Sequence, residues 1–380
     1  MSKRAKIPFN QAFLTGKETT YIEETVGKKH LSGNGFFTKK CHHFFETKYR
    51  FRKCLLTTSC TDALEMAALL LDIQAGDEVI MPSYTFVSTA NAFVLRGAKI
   101  VFVDSCSNHP NLDPTRIEAL ISPKTKAIIV VHYAGAACDM ETIMAIAQKH
   151  HLFVVEDAAQ GIDSYYKNKP LGGIGHLAAF SFHETKNIQC GEGGMLVIND
   201  ERFVKRAEII WEKGTNRAAF FRGEINKYGW VDVGSSFLPS EITAAFLLAQ
   251  LEQLEDIQQQ RKRIWQAYFD ALNPLTQKGC FVLPTLPDYA TQNGHLFYLV
   301  LPTVKKRQAL IQHLRSNGIH AVFHYLSLHQ STFYQDKHDS RSLPHCDHFS
   351  DCLVRLPLFY ELSDEEVTFI VQSIYEFYKS

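Results

Sequence analysis

The sequence predicts an α/β fold with a mostly parallel central sheet, because short apolar runs alternate with helical patterns between about residues 50 and 200. Continuous apolar strands separated by helices are typical of a sheet that helices cover on both faces. In such sheets, ligands bind at the carboxyl ends of the strands. The predicted strands are, in order, Glu78–Met81, Lys99–Asp104, Ala127–Val131, Leu152–Glu156, Ala178–Phe182 and Met195–Ile198.

A long helical pattern follows this region, from Pro239 to about Leu272, with apolar residues three and four positions apart. We expect this helix to link two domains. The large domain is predicted to cover residues 1–245 and the small domain residues 246–380.

The small domain is predicted to be α+β. Its pattern indicates a strand at Leu296–Leu301, a helix at Lys305–Ser316 that stops before Gly318, and a second strand at Ile319–Tyr325. The last helix begins at a capping box, Ser363–Glu366.

The composition favours small-molecule chemistry. Lys+Arg and Asp+Glu are balanced at 40 each, so neither nucleic acid nor an anionic membrane is an expected partner. The nine cysteines are scattered without a C-x-x-C pair and the 17 histidines show no H-E-x-x-H spacing, so we expect free thiols and no metal site. No apolar run is long enough to span a membrane, and we expect a cytoplasmic protein.

A lysine and a strand-end carboxylate form the most informative pair in the sequence. Lys186 closes the run Phe180–Lys186, and Asp157 directly follows the apolar strand that ends at Glu156. Pyridoxal phosphate needs a primary amine that binds it covalently, an acid that keeps its pyridine nitrogen protonated, and donors for its phosphate. The pair suggests such a site, although an acid at a strand end is, taken alone, about as often a helix cap.

The segment Thr57–Leu64 precedes an apolar helix and places small hydroxyl residues at its N-terminus. Unpaired backbone N–H groups and the helix dipole would stabilise a phosphate there. Ordinary N-capping by Ser59 or Thr61 explains the same residues and, taken alone, is the favoured interpretation.

Two further side chains suit a flat heteroaromatic ring. Gln160 is placed to hydrogen-bond a ring hydroxyl or to cap a helix, and Phe86 to stack on a ring or to belong to the core. Gly191–Gly194 gives backbone freedom just after the lysine loop, or forms a tight turn into the next strand.

Together these segments resemble the DegT/DnrJ/EryC1/StrS family of sugar aminotransferases, which share the type I (aspartate aminotransferase-like) fold. The runs Met81–Lys99, Ser181–Asn187 and Glu212–Arg217 are most similar to members that form dTDP-4-amino-4,6-dideoxygalactose for bacterial surface glycans, such as enterobacterial common antigen. The matching motifs cover nearly the whole chain: Ile7–Asn10, Leu31–Gly35, Thr58–Leu64, Tyr84–Ala92, Val155–Gln160, Ser181–Asn187, Gly191–Gly194 and Phe323–Tyr325.

The resemblance implies a role for each residue around pyridoxal 5'-phosphate. Lys186 binds the cofactor covalently, Asp157 pairs with its pyridinium, Gln160 contacts its ring hydroxyl and Phe86 stacks on its ring. The residues that would hold the phosphate are Cys60, Thr61 and Ser181.

The resemblance also implies a homodimer whose active sites use both subunits. Many relatives have a G-x-N-Y-R segment whose Asn reaches the partner's cofactor phosphate. Here the aligned stretch is Gly234–Leu238, so Ser236 takes the place of that Asn with a shorter side chain that has one donor.

The implied reaction transfers an amino group from glutamate to dTDP-4-oxo-6-deoxyglucose, a nucleotide-linked 4-oxo-6-deoxy sugar, with Lys186 also moving the proton. Two alternatives stay open: a 3-oxo or another 4-oxo nucleotide sugar as acceptor, and a protein of the same fold that binds the cofactor or a sugar without turnover. A dehydratase of this fold is less expected because such enzymes typically lack the lysine. The candidates for substrate contacts, by position alone, are Arg217, Lys227, Tyr228, His324 and Tyr325.

Overall fold

The computed structural model describes residues 6–379, in which helices and strands alternate along the chain. The helices are α1 (Glu18–Gly27), α2 (Phe36–Lys48), α3 (Cys60–Leu70), α4 (Val87–Val94), α5 (Met140–Lys149), α6 (Glu201–Trp211), α7 (Arg217–Phe221), α8 (Glu241–Leu251), α9 (Leu254–Thr276), α10 (Val304–Ser316), α11 (Pro344–Cys352) and α12 (Asp364–Phe377). The strands are β1 (Lys53–Thr57), β2 (Glu78–Pro82), β3 (Lys99–Val103), β4 (Thr125–Val131), β5 (Phe153–Asp157), β6 (Tyr165–Tyr166), β7 (Lys169–Pro170), β8 (Leu177–Ser181), β9 (Gly194–Ile198), β10 (Phe297–Val300) and β11 (Leu353–Leu356).

The central sheet has seven strands in the order β1-β9-β8-β5-β4-β2-β3. The pairs from β8 through β5, β4 and β2 to β3 are parallel, whereas β9 is antiparallel to both of its neighbours. The predicted α/β class and mostly parallel sheet are therefore confirmed. The predicted strands correspond to β2, β3, β4, β5, β8 and β9, and the edge strand β1 was not predicted.

Successive residues of a strand point to opposite faces of the sheet, so these apolar strands present apolar side chains on both faces. Helices cover both of these faces. In β2, Val79 packs in the apolar cluster that contains Leu64 of α3 and Phe93 of α4, whereas Ile80 belongs to the cluster that contains Ile143 of α5. Parallel strands that are buried on both sides read as continuous apolar runs, which is the pattern the sequence shows.

The predicted single helix from Pro239 to Leu272 is two helices, α8 and α9, which corrects the sequence interpretation. The break falls at Gln253, whose φ of -109° and ψ of 13° are not helical. Both segments have apolar residues at helical spacing, so periodicity alone did not reveal the turn between them.

The C-terminal region agrees with the sequence in part. Strand β10, helix α10 and the capping box at Ser363 are confirmed, and Gly318 follows α10 with a φ of +79°. The predicted strand Ile319–Tyr325 is wrong, because this segment makes isolated bridges with Ile7 and Arg355 and no continuous ladder. The strand that pairs with β10 is β11.

A second apolar core joins the later part of α9 to α10, α12, β10 and β11, and it includes Ile7 near the amino terminus. The proposed division at residue 245 lies within α8, and the two-domain division stays a prediction. No helix within residues 6–379 has the length and apolarity to cross a membrane.

Candidate active site

A cavity of about 760 Å³ lies at the carboxyl ends of β5 and β8, where a parallel sheet is expected to bind ligands. Asp157 and Ser181 are the last residues of these strands, and both line the cavity. The predicted site residues that the fold brings together around it are Cys60, Thr61, Phe86, Asp157, Gln160, Ser181, Lys186, His324 and Tyr325.

Lys186 lies on the loop between β8 and β9, which backbone hydrogen bonds hold against the sheet. The Phe182 N–H donates to the Gly193 carbonyl over 2.8 Å at the base of this loop. Burial lowers the pKa of the Lys186 amine, and the charge of Arg355 acts in the same direction. A lower pKa increases the fraction of neutral amine, which is the nucleophilic form.

Asp157 is buried at the end of β5 with donors on both carboxylate oxygens. The Thr89 hydroxyl donates to Oδ2 over 2.7 Å, and the Ala159 N–H donates to Oδ1 over 3.2 Å. Burial raises the pKa of Asp157, while these two hydrogen bonds and the charge of Lys186 oppose that effect. A carboxylate oxygen accepts more than one hydrogen bond, so Asp157 keeps capacity for a cation in the cavity.

A chain of hydroxyl groups supports Asp157 from behind. Thr89 gives its single proton to Asp157, so Thr85, whose Oγ1 lies 2.8 Å from that of Thr89, must be the donor to Thr89. Both threonines are buried. This orientation of the two hydroxyls favours the ionised form of Asp157.

Gln160 is held at both ends of its amide. Its Oε1 accepts from the Ala134 N–H over 2.6 Å, and its Nε2 donates to the Tyr325 hydroxyl over 2.8 Å. The second Nε2 proton remains for another acceptor. Near this group the Phe86 ring is 55% exposed at the cavity, 6.1 Å from the Tyr325 ring, so Phe86 is not a core residue.

The N-terminus of α3 combines a cap with a face toward the cavity. Ser59 is the N-cap, and its Oγ accepts from the Asp62 N–H over 3.1 Å, which confirms the capping interpretation for Ser59. Thr61 instead donates to the Ser88 hydroxyl over 2.8 Å. Because Cys60 and Thr61 also line the cavity, the N-terminus of α3, where the helix dipole favours an anion, lies at the cavity as well as being capped.

Two histidines line the cavity in the neutral form, because burial lowers the pKa of each well below its ordinary value. The ring of His324 stacks on Tyr325 at 3.6 Å, and its Nδ1 lies 2.7 Å from the Tyr133 hydroxyl. His295 places its Nδ1 2.9 Å from Oδ1 of Asn187, the residue after the lysine.

The hydrogen bonds of Asn187 fix the tautomer of His295. Asn187 gives its amide protons to Gln258 Oε1 and to the Asn293 carbonyl, so its Oδ1 is an acceptor. His295 therefore donates from Nδ1, and its Nε2 is an acceptor. The same bonds connect the lysine loop to α9 and to the segment before β10.

Arg355 of β11 brings a second cationic group to the cavity. Its Nη2 donates to the Phe323 carbonyl over 3.2 Å, and its guanidinium lies 4.6 Å from the centre of the Phe9 ring. Its Nε is buried without a hydrogen-bond partner, and no carboxylate of residues 6–379 pairs with it. Burial lowers the pKa of Arg355.

Four predicted residues do not line this cavity: Arg217, Lys227, Tyr228 and Ser236. They lie between α6 and α8, where the Arg217 guanidinium is 4.0 Å from the Glu212 carboxylate and Ser236 bridges Glu212 through its backbone. Their predicted contacts with substrate and phosphate are not formed within one chain.

Sequence reasoning missed Thr85, Thr89, His295 and Arg355 as members of the site. The two threonines lie in a run that carried the resemblance, but the bond from Thr89 to Asp157 joins segments that are far apart in the sequence. Arg355 had a usable signal, because it is a charged residue inside the apolar run Leu353–Leu356.

The arrangement fits pyridoxal phosphate. The cavity holds an amine with a lowered pKa, a carboxylate with free acceptor capacity and a helix N-terminus, which are the three groups that the cofactor requires. The exposed Phe86 ring adds a flat surface for stacking.

Comparisons with known proteins agree with this fit. The DegT/DnrJ/EryC1/StrS aminotransferase family model matches residues 14–375. The spore coat polysaccharide biosynthesis protein SpsC of Bacillus subtilis (strain 168) is 31% identical, over 98% of this chain and 97% of that protein. The GDP-perosamine synthase of Escherichia coli O157:H7 is 34% identical, over 98% of each chain.

A solved structure extends the agreement to the fold and the cofactor. Spr1654 of Streptococcus pneumoniae, described as a sugar aminotransferase and solved in a PMP form, has a TM-score of 0.90, 26% identity and coverage of 98% of both chains. The same protein is also solved in a PLP form. The predicted type I fold and the predicted cofactor are confirmed. This chain belongs to the DegT/DnrJ/EryC1/StrS aminotransferase family, and it is a pyridoxal phosphate-dependent sugar aminotransferase.

Proposed function

We propose that the enzyme transfers an amino group from glutamate to dTDP-4-oxo-6-deoxyglucose and forms dTDP-4-amino-4,6-dideoxygalactose. The observation that carries the transamination is the placement of Lys186 and Asp157 in one cavity at the carboxyl ends of β5 and β8. The choice of sugar rests on the similarity of the segments Met81–Lys99, Ser181–Asn187 and Glu212–Arg217 to enzymes that form this product. The amino sugar would serve the synthesis of a surface polysaccharide.

Lys186 performs two tasks in this proposal. Bound pyridoxal phosphate supplies a ring that accepts electrons. The amine of Lys186 would hold the cofactor covalently and, as a free amine, would carry the proton that the transfer of the amino group requires. The lowered pKa of Lys186 suits this role, because the amine must accept a proton near neutral pH.

Asp157 places a negative charge at the side of the cavity where the pyridine nitrogen of the cofactor would lie. With Thr89 and Ala159 as donors, its carboxylate faces the cavity in the ionised form and would keep the pyridine nitrogen of the cofactor protonated. Gln160 would offer its remaining amide proton to the ring hydroxyl, and Phe86 would stack on the ring.

Cys60, Thr61 and Ser181 would bind the phosphate. Cys60 and Thr61 belong to the first turn of α3, where the helix dipole favours an anion, and Ser181 ends β8 at the same cavity.

A homodimer completes the site in this proposal. The segment between α6 and α8 exposes large apolar side chains, with Trp230 83%, Phe221 68% and Tyr228 52% exposed. Exposed apolar clusters of this kind are typical of protein interfaces. If a second copy covers this surface, Ser236 of the first copy would approach the cavity of the second copy. The candidate substrate residues Arg217, Lys227 and Tyr228 of the first copy would then lie beside His324 and Tyr325 of the second copy.

We place the reaction in the cytoplasm, where nucleotide sugars are made. The nine free thiols suit a reducing compartment.

A GDP-linked sugar is the second candidate acceptor, because a relative 34% identical to this chain is named GDP-perosamine synthase. A 3-oxo sugar nucleotide is the third. A non-catalytic sensor is less favoured, because the lysine and aspartate that the chemistry needs are both in the cavity.

The test incubates the purified protein with glutamate and one acceptor at a time. The acceptors are dTDP-4-oxo-6-deoxyglucose, a GDP-linked 4-oxo-6-deoxy sugar and a 3-oxo isomer. We expect 2-oxoglutarate to appear with the dTDP-4-oxo sugar, and NMR to show an axial amine at C4, as in the galacto series. An equatorial amine, or turnover restricted to another acceptor, would reject the sugar assignment and keep the aminotransferase chemistry.

A further inference from the structure

Asn187, the residue after Lys186, is a buried amide whose two protons and carbonyl oxygen all have partners. Its Nδ2 donates to Gln258 Oε1 over 2.7 Å and to the Asn293 carbonyl over 2.9 Å, and its Oδ1 accepts from His295 Nδ1 over 2.9 Å. All four side chains are buried. Such a network holds one arrangement, because each broken bond would leave a polar group unpaired away from water.

The partners of Asn187 come from outside the loop between β8 and β9. Gln258 belongs to α9, and Asn293 and His295 precede β10, so they lie 71 to 108 residues further along the chain. The Lys186 amine itself has no hydrogen-bond partner among the described residues, and only charges and burial act on it. Its place in the cavity therefore depends on the backbone that Asn187 anchors.

Asn293 extends the network to a second residue of the proposed cofactor site. Its Nδ2 donates to the backbone carbonyls of Gln160 and Ile162, each over 2.8 Å. Its Oδ1 accepts from the His295 N–H over 3.0 Å, and its own carbonyl accepts from Asn187. A path of two hydrogen bonds therefore connects Asn187 to Gln160, so the network sets the spacing between the lysine loop and the amide proposed to contact the ring hydroxyl.

We infer that Asn187 is a positioning residue that acts on Lys186, and that the bond from His295 holds Asn187 in the orientation this requires. The lysine amine is thereby presented to the reactive carbon of the cofactor at a fixed distance. This inference rests on the proposed attachment of the cofactor to Lys186. Placement affects the rate, because a shift of about 1 Å in a reacting group can cost on the order of 100-fold.

The test compares two forms of the cofactor on full-length protein from which cofactor has been removed by dialysis. Pyridoxal phosphate needs the lysine amine for its covalent bond, and borohydride added at intervals measures the rate of attachment. Pyridoxamine phosphate has an amino group in place of the aldehyde, so it binds without that bond, and calorimetry gives its dissociation constant. For Asn187→Leu we expect attachment to slow on the order of 100-fold, with the affinity for pyridoxamine phosphate unchanged.

Two variants of His295 separate its bond to Asn187 from its contact with the cavity. The amide nitrogen of an asparagine occupies the position of Nδ1, whereas that of a glutamine reaches the position of Nε2. His295→Asn keeps a donor for Asn187 and should attach the cofactor at close to the wild-type rate. His295→Gln leaves the Asn187 oxygen without a donor and should slow attachment about 10-fold, as for the loss of one hydrogen bond. This pair also covers the case in which Asn187→Leu does not fold.

Asn199→Leu is a matched control. The Asn199 amide donates to the Gly172 and Gly175 carbonyls, each over 2.9 Å. It follows the end of β9 that pairs with Leu177, whereas the cavity lies at the other end of this pair, at Ser181. We expect this variant to have a lower Tm, a normal rate of attachment and a normal affinity for pyridoxamine phosphate.

Three results would overturn the inference. One is a normal attachment rate in folded Asn187→Leu. Another is an equal slowing in both His295 variants, since the histidine would then act from Nε2 in the cavity rather than through Asn187. The third is a loss of pyridoxamine phosphate affinity as large as the loss of attachment rate, which contradicts a specific role for the lysine. Borohydride label on a residue other than Lys186 in the wild type rejects the proposed attachment itself, before any variant is compared.

Discussion

Two regions of the proposed site differ in how far one chain completes them. At the end of β5, Asp157 has donors from Thr89 and Ala159, and Lys186 lies on a loop that backbone hydrogen bonds hold in place. The segment between α6 and α8 is instead exposed, with Ser236 outside the cavity and Trp230 83% exposed. The difference indicates that the cofactor groups are held by contacts within one chain, whereas the proposed contacts of Ser236 and of the acceptor residues require the proposed second copy.

The largest expected effect tests the region around Asp157 and Lys186, which one chain completes. Lys186→Ala should abolish transamination, because the variant loses both the covalent bond to the cofactor and a proton transfer that alone contributes on the order of 10² to 10⁴ in rate. The single-turnover reaction of the loaded protein with glutamate measures it, with Lys167→Ala as the control, since Lys167 is an exposed residue that pairs with Glu141. Borohydride reduction and peptide mapping should find the cofactor on Lys186. Label on another lysine contradicts the assignment.

The next effect separates two adjacent carboxylates of β5. Asp157→Asn should slow the half-reaction with glutamate by about 2.7 to 4 kcal/mol, the loss typical of one well-placed electrostatic group, with little change in Tm. Glu156 faces the other side of the sheet, pairs with His132 at 2.9 Å and accepts from the Gly175 N–H at 2.6 Å. Glu156→Gln should therefore lower Tm more than the rate per folded molecule. The opposite pattern would mean that the two faces of β5 have been assigned wrongly.

The comparison also explains what the sequence was able to predict. The strand runs are apolar because both faces of the sheet are buried, so Glu78–Met81 and its successors could be recognised by composition. Lys186 and Asp157 could be paired because both follow such strands and the cofactor needs both groups. The turn between α8 and α9 could not be predicted, because the apolar spacing is helical on both sides of Gln253.

The missed residues have a common physical reason. Thr89 matters through a hydrogen bond to Asp157, and His295 through one to Asn187, and both bonds join segments that only the folded chain brings together. The predicted strand Ile319–Tyr325 failed for the reverse reason. Ile319 and Ala321 of this segment pack in the core without forming a ladder, so burial there did not indicate pairing.

A smaller effect is expected from the hydroxyl behind Asp157. Thr89→Val should slow the half-reaction by about 1.5 to 3 kcal/mol, the range for a hydrogen bond to a charged group, and Thr89→Ser should restore most of it. The pH dependence of the half-reaction tests whether Thr89 acts through the pKa of Asp157. The Thr89 hydrogen bond opposes the raised pKa of Asp157, so its loss raises that pKa further, and activity should begin to fall at a higher pH as the solution is acidified. A uniform loss without a shift of the acid limb would make Thr89 merely structural.

The smallest expected effect tests the exposed segment between α6 and α8, which contains Ser236. If Ser236 donates to the cofactor phosphate of the second copy, Ser236→Ala should weaken cofactor retention by roughly 0.5 to 1.5 kcal/mol, the net value of one hydrogen bond, and Ser236→Asn should tighten it because its amide reaches further and has two donors. Dialysis against buffer without cofactor, followed by absorbance, measures the retention.

Trp230→Glu tests the proposed interface, since a charge there should produce monomers. In monomers, the Ser236 substitutions should no longer change cofactor retention. A monomer with full activity would refute the shared site, and a dimer whose retention is insensitive to Ser236 would leave the phosphate to Cys60, Thr61 and Ser181 of the same chain.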